Sequence, residues 1–291
     1  ISLNLGGIET NPGFRIDANL LLRAAYGAIL GDIFMRCVYR MRPYEAVPGS
    51  VDAMHAKWLK EVKKFVSARH MSLWKFNKLC RKIIRDFDNI PITDEKKPRV
   101  GIVGEILVKF SPAGNNYLVD LLESEGAEAV VPDLIDFMLY CFYNQIYKAE
   151  ELGMSKKAAR VSALGIWAIE RLRGAARKEL KKSKHFDAPT PIRTIVEYAK
   201  PIVSIGNQTG EGWFLTGEMV ELIHNGVPNI ICCQPFGCLP NHVVGKGVIK
   251  ELRRQHPHSN VVAIDYDPGA SEVNQLNRIK LMLSTAAKNL E

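Results

Sequence analysis

Apolar side chains recur with a helical period through residues 17–90. Pro43 and Pro48 interrupt this periodicity, so one helix is expected before them and further helices after them. A polar, proline-containing stretch at residues 90–98 then ends the helical pattern. The pattern predicts a mainly helical N-terminal region over residues 1–97.

Beyond this stretch the pattern changes to short apolar runs rich in β-branched residues, each followed by a turn and a helical stretch. Such runs are typical of parallel strands that are buried on both faces. We therefore predict an α/β domain over residues 98–291, with a parallel sheet of about four or five strands and helices on both faces. The predicted strands are residues 99–103, 129–131, 202–205, 229–233 and 261–264.

Glycine and polar residues follow these predicted strands, notably at residues 111–116, 206–213, 232–241 and 265–271. Ordinary turn chemistry explains any one of these loops. Right-handed crossovers, however, bring the C-terminal ends of parallel strands to one edge of the sheet, where open α/β sheets bind ligands. Several such loops meeting at this carboxyl edge predict a binding site.

The loop after the fourth predicted strand departs furthest from ordinary turn composition. It carries Cys232, Cys233, Cys238 and His242, and thiolates are ligands that zinc and iron–sulfur clusters favour. Spacing alone leaves four alternatives: a mononuclear zinc site at Cys232, Cys238 and His242, a catalytic thiol with His242 as its base, a vicinal Cys232–Cys233 disulfide, or buried thiols that only pack. The vicinal disulfide is sterically awkward and rarely structural. Cys238 is the hardest of these cysteines to explain as packing.

A second loop resembles a phosphate-binding turn at the start of a helix. It lacks the lysine of a P-loop, but its backbone N–H groups are expected to be available to an anion or a cofactor. The candidate binding residues of this loop are Gly206, Asn207, Gln208, Thr209, Gly210 and Glu211, and Asn241 and His242 join them from the cysteine loop.

The formal net charge of +8 raises the question of a nucleic-acid partner. Lysines near residues 178–184 contribute to this excess, and they follow an apolar series whose spacing predicts a buried helix face. We expect these lysines to form the solvated side of that helix, and we predict no nucleic-acid partner. The apolar series is Val161, Leu164, Ala168 and Leu172.

No stretch of the sequence predicts a membrane span, since the longest nearly apolar run, residues 20–30, is short and contains Arg23. The chain starts at Ile1 without a signal-like region, and its 6 cysteines are too few for a disulfide scaffold. We expect a cytoplasmic location, reduced thiols and no membrane partner.

Six stretches of the chain together resemble the C-terminal portion of the large 2-hydroxyacyl-CoA dehydratase activase-related proteins, also called CoA enzyme activases. The resemblance covers essentially the whole chain, and the stretch from Gln234 to His242 is its most specific part. The six stretches are residues 1–5, 40–45, 101–106, 204–213, 234–242 and 265–272.

This resemblance implies a module similar to the dehydratase subunits, which are α/β and carry an oxygen-sensitive iron–sulfur cluster, with Cys238 as one metal ligand and Cys232 as a second candidate. It also implies that the chain is a fragment, that the other cluster ligands lie upstream of Ile1, and that Asn207, Gln208, Glu211 and His242 surround the ligand or substrate. The expected partners are the upstream part of the same polypeptide and an acyl-CoA substrate or a redox partner; a homodimer is a further alternative.

Three hypotheses follow for function. The first is a cluster-associated electron-transfer module that has no complete active site and is inactive as a fragment. The second is a non-catalytic docking module, for which we expect exposed apolar surface on residues 17–45. The third is the mononuclear zinc site in the cysteine loop.

Overall fold

The computed structural model of the chain describes residues 17–267 and 269–290. Residues 1–5, which contribute to the family resemblance, lie outside the described residues. So does Pro268, which belongs to the loop at residues 265–271.

Three helices form the N-terminal region, as the periodicity predicts. Helix α1 (Ala18–Met41) begins after Asp17, whose side chain accepts a hydrogen bond of 2.6 Å from the backbone N–H of Leu20. Helix α2 (Ser50–Ser67) follows Gly49, and α3 (Leu73–Asp88) begins after Ser72, whose hydroxyl accepts from the N–H of Lys75. The helical prediction for this region is confirmed.

Four parallel strands form one sheet: β1 (Arg99–Gly104), β2 (Glu128–Val130), β3 (Asn229–Gln234) and β4 (Asn260–Asp265). Their order in the sheet is β2-β1-β3-β4, so β1 and β3 occupy the centre. The α/β fold class with a parallel sheet is confirmed.

The strand predicted at residues 202–205 is wrong. These residues form turns directly after a helix, because the N–H groups of Ile202 and Val203 both donate to the carbonyl of Ala199. Ile205 is buried in the core between helices, not in the sheet. A short apolar run bounded by turns has the same pattern in both settings, which explains the error.

In the described part of the chain, eight further helices surround the sheet and extend the N-terminal bundle, and a π-helical turn spans Asn241–Lys246. The helices are α4 (Ile106–Phe110), α5 (Leu118–Ser124), α6 (Leu134–Glu151), α7 (Lys156–Leu180), α8 (Ile192–Ala199), α9 (Gly212–His224), α10 (Ile249–Gln255) and α11 (Glu272–Lys288).

The sheet is covered on both faces, as predicted. Helices α5 and α11 pack on one face, where Cys233 and Ile231 point, and α9 and α10 pack on the other, where Cys232 and Ile230 point. A separate core joins α1, α2 and α3 to α6, α7, α8 and the start of α9. The boundary near residue 97 stays a prediction, since the helices on its two sides share this core.

The predicted buried face of α7 is wrong in its first half. Val161 and Leu164 are 60% and 62% exposed, whereas the side of the helix that does pack inward carries Ser162, Arg173 and Ala176. An apolar series shows that a helix has an apolar face, but not that another part of the chain covers it. Among the described residues, no helix has the length and apolar character needed to cross a bilayer.

Candidate functional site

The centre of the carboxyl edge lies between β1 and β3. The chain leaves β1 toward β2 on one side of the sheet, whereas it leaves β3 toward β4 on the other side. The loops after β1 and β3 therefore diverge and leave a crevice, which is where doubly wound α/β sheets bind ligands. Gly104 ends β1 at φ +137°, where an added Cβ would overlap the backbone of Cys233, so the two strands approach closely here.

Glu211 connects three loops at this edge. Its carboxylate is 6% exposed; it accepts from the N–H of Ile106 at 3.1 Å and from Nδ2 of Asn241 at 2.8 Å. The start of α9, the loop after β1 and the cysteine loop are thus held together by one buried side chain. A buried carboxylate is stable only when it is hydrogen bonded in this way.

Asn241 connects Glu211 to Cys238, the predicted metal ligand. Its side chain is fully buried, and Nδ2 donates to the sulfur of Cys238 at 3.2 Å as well as to Glu211. Cys238 itself is half-buried and lies between the exposed side chains of Phe236 and Leu239. The buried amide of Asn241 therefore orients this sulfur from the protein interior, and the sulfur is not fully buried in the core.

His242 does not contact the sulfur of Cys238 in any described hydrogen bond. Its Nδ1 donates to the carbonyl of Cys238 at 3.0 Å, while its Nε2 lies 3.4 Å from Nε2 of Gln234. Gln234 donates in turn to Asp265 at 2.8 Å. Both ring nitrogens are therefore engaged within the protein, so the histidine braces the loop and is not placed as a base for the thiol.

The predicted glycine loop packs directly against the cysteine loop. Gly210 has φ +59°, and an added Cβ would lie 3.1 Å from the ring of Pro240. The hydroxyl of Tyr140 on α6 lies 2.8 Å from the carbonyl of Gly210 and 3.0 Å from that of Gln208, and the carbonyl of Asn207 accepts from the N–H of Trp213 at 2.7 Å. Gly206 and Thr209 are exposed at the turn. The structure therefore brings the two predicted loops together.

Three buried amide atoms at this edge have no hydrogen-bond partner among the described residues. They are Nε2 of Gln208, Oε1 of Gln234 and Oδ1 of Asn241. Buried polar atoms in folded proteins are normally hydrogen bonded.

Cys232 and Cys233 differ from Cys238. Both are fully buried, and they point to opposite faces of the sheet, as strand alternation predicts. Burial, followed by the charges of Glu218 and Glu211, raises the pKa of Cys232 to about 12, and an added Cβ at Gly245 would lie 3.0 Å from its sulfur. Such a thiol stays protonated and packed, which disfavours it as a ligand.

Sequence reasoning missed a buried ion pair beneath the site. Nζ of Lys109 on α4 donates to Glu218 on α9 at 2.7 Å, and the two side chains are 4% and 3% exposed. Burial raises the pKa of Glu218 to about 7, although Lys109 opposes the shift. Two acids, Glu218 and Glu221, within the mainly apolar stretch from Trp213 to Ile223 are the signal that could have found it.

The described residues fit one ligand position and not a complete metal site. Within residues 17–267 and 269–290, no three His, Cys, Asp or Glu side chains converge so as to hold a metal ion. Cys238 can offer a thiolate, but Cys232 is sealed and both ring nitrogens of His242 are engaged. The carboxyl edge therefore offers one accessible thiol, that of Cys238, which is oriented by the amide of Asn241. The buried carboxylates of Glu211 and Glu218 lie on the interior side of this site.

Comparison of the chain with protein-family profiles, with curated proteins and with solved structures finds no significant match.

Proposed function

We propose that this chain is a dehydratase-like module of a CoA enzyme activase-related protein, in which Cys238 contributes one thiolate to an iron–sulfur cluster. The remaining ligands come from the part of the polypeptide upstream of the chain. The family assignment rests on the resemblance of the sequence stretches, and the ligand assignment rests on the site geometry.

The single observation that carries the ligand assignment is the hydrogen bond from Asn241 to the half-buried sulfur of Cys238. Hydrogen bonds to thiolate sulfur stabilise its charge and tune the potential of a cluster that it holds. Glu211 fixes the orientation of this amide from inside the protein. A cluster would supply one-electron chemistry. Asn241 and Glu211 would orient one of its ligands, Cys238, and would exclude water from the interior side of the site.

Iron and acid-labile sulfide in the longer polypeptide, purified without oxygen, test this proposal. We expect Cys238→Ser to lose at least half of the bound iron, because removal of even one thiolate ligand greatly lowers the affinity of the protein for the cluster. Cys141→Ser is the matched control, because Cys141 is an exposed thiol on α6 and makes no described hydrogen bond to the cysteine loop. Equal iron content in the two variants would contradict the proposal. The isolated chain is expected to retain little or no iron.

The zinc alternative at Cys232, Cys238 and His242 stays a prediction without geometric support. Cys232 packs under Gly245, and the ring of His242 is held by the carbonyl of Cys238 and by Gln234. Elemental analysis of the same preparations measures zinc alongside iron. Stoichiometric zinc that is lost from Cys238→Ser would favour this alternative over the cluster.

A second candidate function, the docking module, is favoured by a different surface. On residues 17–45, where we expected exposed apolar surface, most apolar side chains are buried, and Leu20 and Leu21 are the large ones that remain exposed. On α7, by contrast, three large apolar side chains are exposed: Val161, Leu164 and Trp167, at 60%, 62% and 62%. We call these three residues the α7 stripe.

Exposed cations surround the α7 stripe. Three large apolar side chains on successive helical turns are typical of a surface that another protein segment covers. The flanking charges favour a partner segment that carries acidic residues. The exposed cations are Lys156, Lys157, Arg160 and Arg171.

Analytical ultracentrifugation of the isolated chain tests this second function. An uncovered α7 stripe is expected to cause self-association that strengthens with salt, because salt screens the repulsion between the flanking cations. Leu164→Glu combined with Trp167→Glu should remove the association, whereas Val273→Glu, at a 67% exposed position on α11, should not. A chain that is monomeric at every salt concentration would count against the docking function.

A further inference from the structure

A cavity lies between the N-terminal helices and the loop that follows β1. Its volume is about 460 Å³, within the range of small-molecule sites. Helices α1 and α2 form one wall, and residues 109–119 together with Val131, which follows β2, form the other. The cavity is therefore at the carboxyl edge but on the β2 side, away from Cys238. The sequence placed residues 111–116 at this edge, and the proposed function does not use them.

The walls of the cavity are mainly aromatic and aliphatic. Phe34, Met35 and Val38 on α1 face it together with Leu59 on α2 and Phe110 on α4. His55 also lines it, with its ring 4.9 Å from that of Phe34, and burial lowers the pKa of this histidine, which keeps it neutral at pH 7. These groups suit a compact hydrocarbon or aromatic body.

An unusual backbone turn places a further aromatic residue at the mouth. Asn116 and Tyr117 have φ of 53° and 54°, and they are the two non-glycine residues in the left-handed region among those described. The turn is secured by Asn115, whose side chain bonds the carbonyl of Val108 and the N–H of Leu118, and by a bond from Asn116 to Gln275. Tyr117 lines the cavity and is 58% exposed. Strained turns that persist in this way are concentrated at binding sites.

The charged residues that line the cavity differ in how far each is already paired within the protein. The guanidinium of Arg42 makes two hydrogen bonds to Glu123 and also faces Asp52, and Lys109 is committed to its buried partner Glu218. Asp120 also pairs with Arg42, at 3.6 Å, but its side chain is 66% exposed and keeps room for a second partner. The charge with room for a ligand is therefore negative.

We propose that this cavity binds a small protonated amine with an aromatic or branched hydrocarbon body. The body packs against Phe34, Leu59 and Tyr117, and the ammonium lies beside Asp120. This proposal is independent of the cluster, because it concerns residues on the β2 side of the edge.

Titration calorimetry of the full chain with three probes of one shape tests the proposal. The probes are 2-phenylethylamine, 2-phenylethanol and 3-phenylpropionate, which are cationic, neutral and anionic at pH 7. We expect the amine to bind about fivefold more tightly than the alcohol, the size of one partly exposed ion pair, and the carboxylate to bind more weakly than both. A carboxylate that binds as tightly as the amine, or no binding of any probe at millimolar concentration, would overturn the proposal.

Two variants and a control separate the charge from the cavity. Asp120→Asn should remove the preference for the amine and leave the affinity for the alcohol unchanged, whereas Asp187→Asn, at a position with a 68% exposed side chain outside the cavity, should change neither. Leu59→Trp should fill the cavity and abolish binding of every probe. Should Leu59→Trp fail to fold, Asp120→Asn still decides the outcome: an undiminished preference for the amine would overturn the proposal.

Discussion

Glu221 on α9 shows most directly how a single residue makes this protein sensitive to pH. Its carboxylate is 8% exposed, and one oxygen, Oε2, has no hydrogen-bond partner among the described residues. Burial, then the charges of Asp136 and Glu218, raises its pKa to about 8, although Thr190 and Arg36 oppose the shift. The folded protein therefore holds a proton that the unfolded chain releases.

The pH dependence of Glu221→Gln follows from this difference. The folded pKa lies above the unfolded value of 4.5, so the contribution of Glu221 to stability is greatest below pH 4.5 and is lost as pH rises toward about 8. The variant should gain about 1–3 kcal/mol in free energy of unfolding relative to the natural protein between pH 5 and pH 8. Urea unfolding across this range measures it. Glu150→Gln, at an exposed position on α6, should show no such trend; a pH-independent difference in Glu221→Gln would refute the assignment.

At the scale of elements, the close contact between α8 and α9 depends on a glycine, Gly217. A Cβ at Gly217 on α9 would lie 2.6 Å from Cγ2 of Ile195 and 3.0 Å from its carbonyl oxygen on α8. The two helices can approach this closely because glycine has no side chain. Gly174 on α7 is also inside a helix, but nothing lies within 4 Å of an added Cβ.

The same substitution at these two glycines should have opposite effects. Gly217→Ala is expected to destabilise the protein by about 1–3 kcal/mol through overpacking. Gly174→Ala should stabilise it by about 0.5–1 kcal/mol, because alanine favours the helix and meets no neighbour. Thermal unfolding of both variants gives the comparison, and the same sign of change in both would contradict the packing between α8 and α9.

At the scale of the whole molecule, Glu128 joins the N-terminal helices to the sheet. This residue of β2 is 1% exposed, and its carboxylate accepts from Arg40 at the end of α1, from Tyr44 at 2.9 Å and from Arg99 of β1 at 3.0 Å. Burial and the nearby charge of Glu128 raise the pKa of Tyr44 to about 12. This contact predicts that the N-terminal helices and the sheet unfold as one cooperative unit.

Glu128→Gln tests this connection. Loss of the charge should cost about 2 kcal/mol in free energy of unfolding, less than for a fully buried pair, since both arginine side chains are 29% exposed and can regain water. Urea unfolding followed by circular dichroism and by tryptophan fluorescence should give one shared midpoint. Glu197→Gln, which breaks an exposed pair with Lys200, is the control and should change stability by less than about 0.5 kcal/mol. Separate midpoints for the two probes would show that helices and sheet unfold independently.

The sequence by itself determined the N-terminal helices and the parallel strands β1, β2, β3 and β4. It also placed the glycine loop beside the cysteine loop, although the strand predicted before the glycine loop is a turn. Helical and strand periods reflect local backbone geometry, and right-handed crossovers force the strand ends to one edge. The structure confirms the N-terminal helices and places Cys232 and Cys233 on opposite faces of the sheet for these local reasons.

Tertiary structure alone decided which of these groups are available for chemistry. Tertiary packing buries Cys232 completely but leaves Cys238 half-buried, and it places residues 202–205 outside the sheet. It also leaves the α7 stripe exposed and pairs Lys109 with Glu218, which is distant in the sequence. The physical reason is that an apolar or polar pattern specifies a surface, whereas burial, pairing and charge depend on what distant parts of the chain place against it.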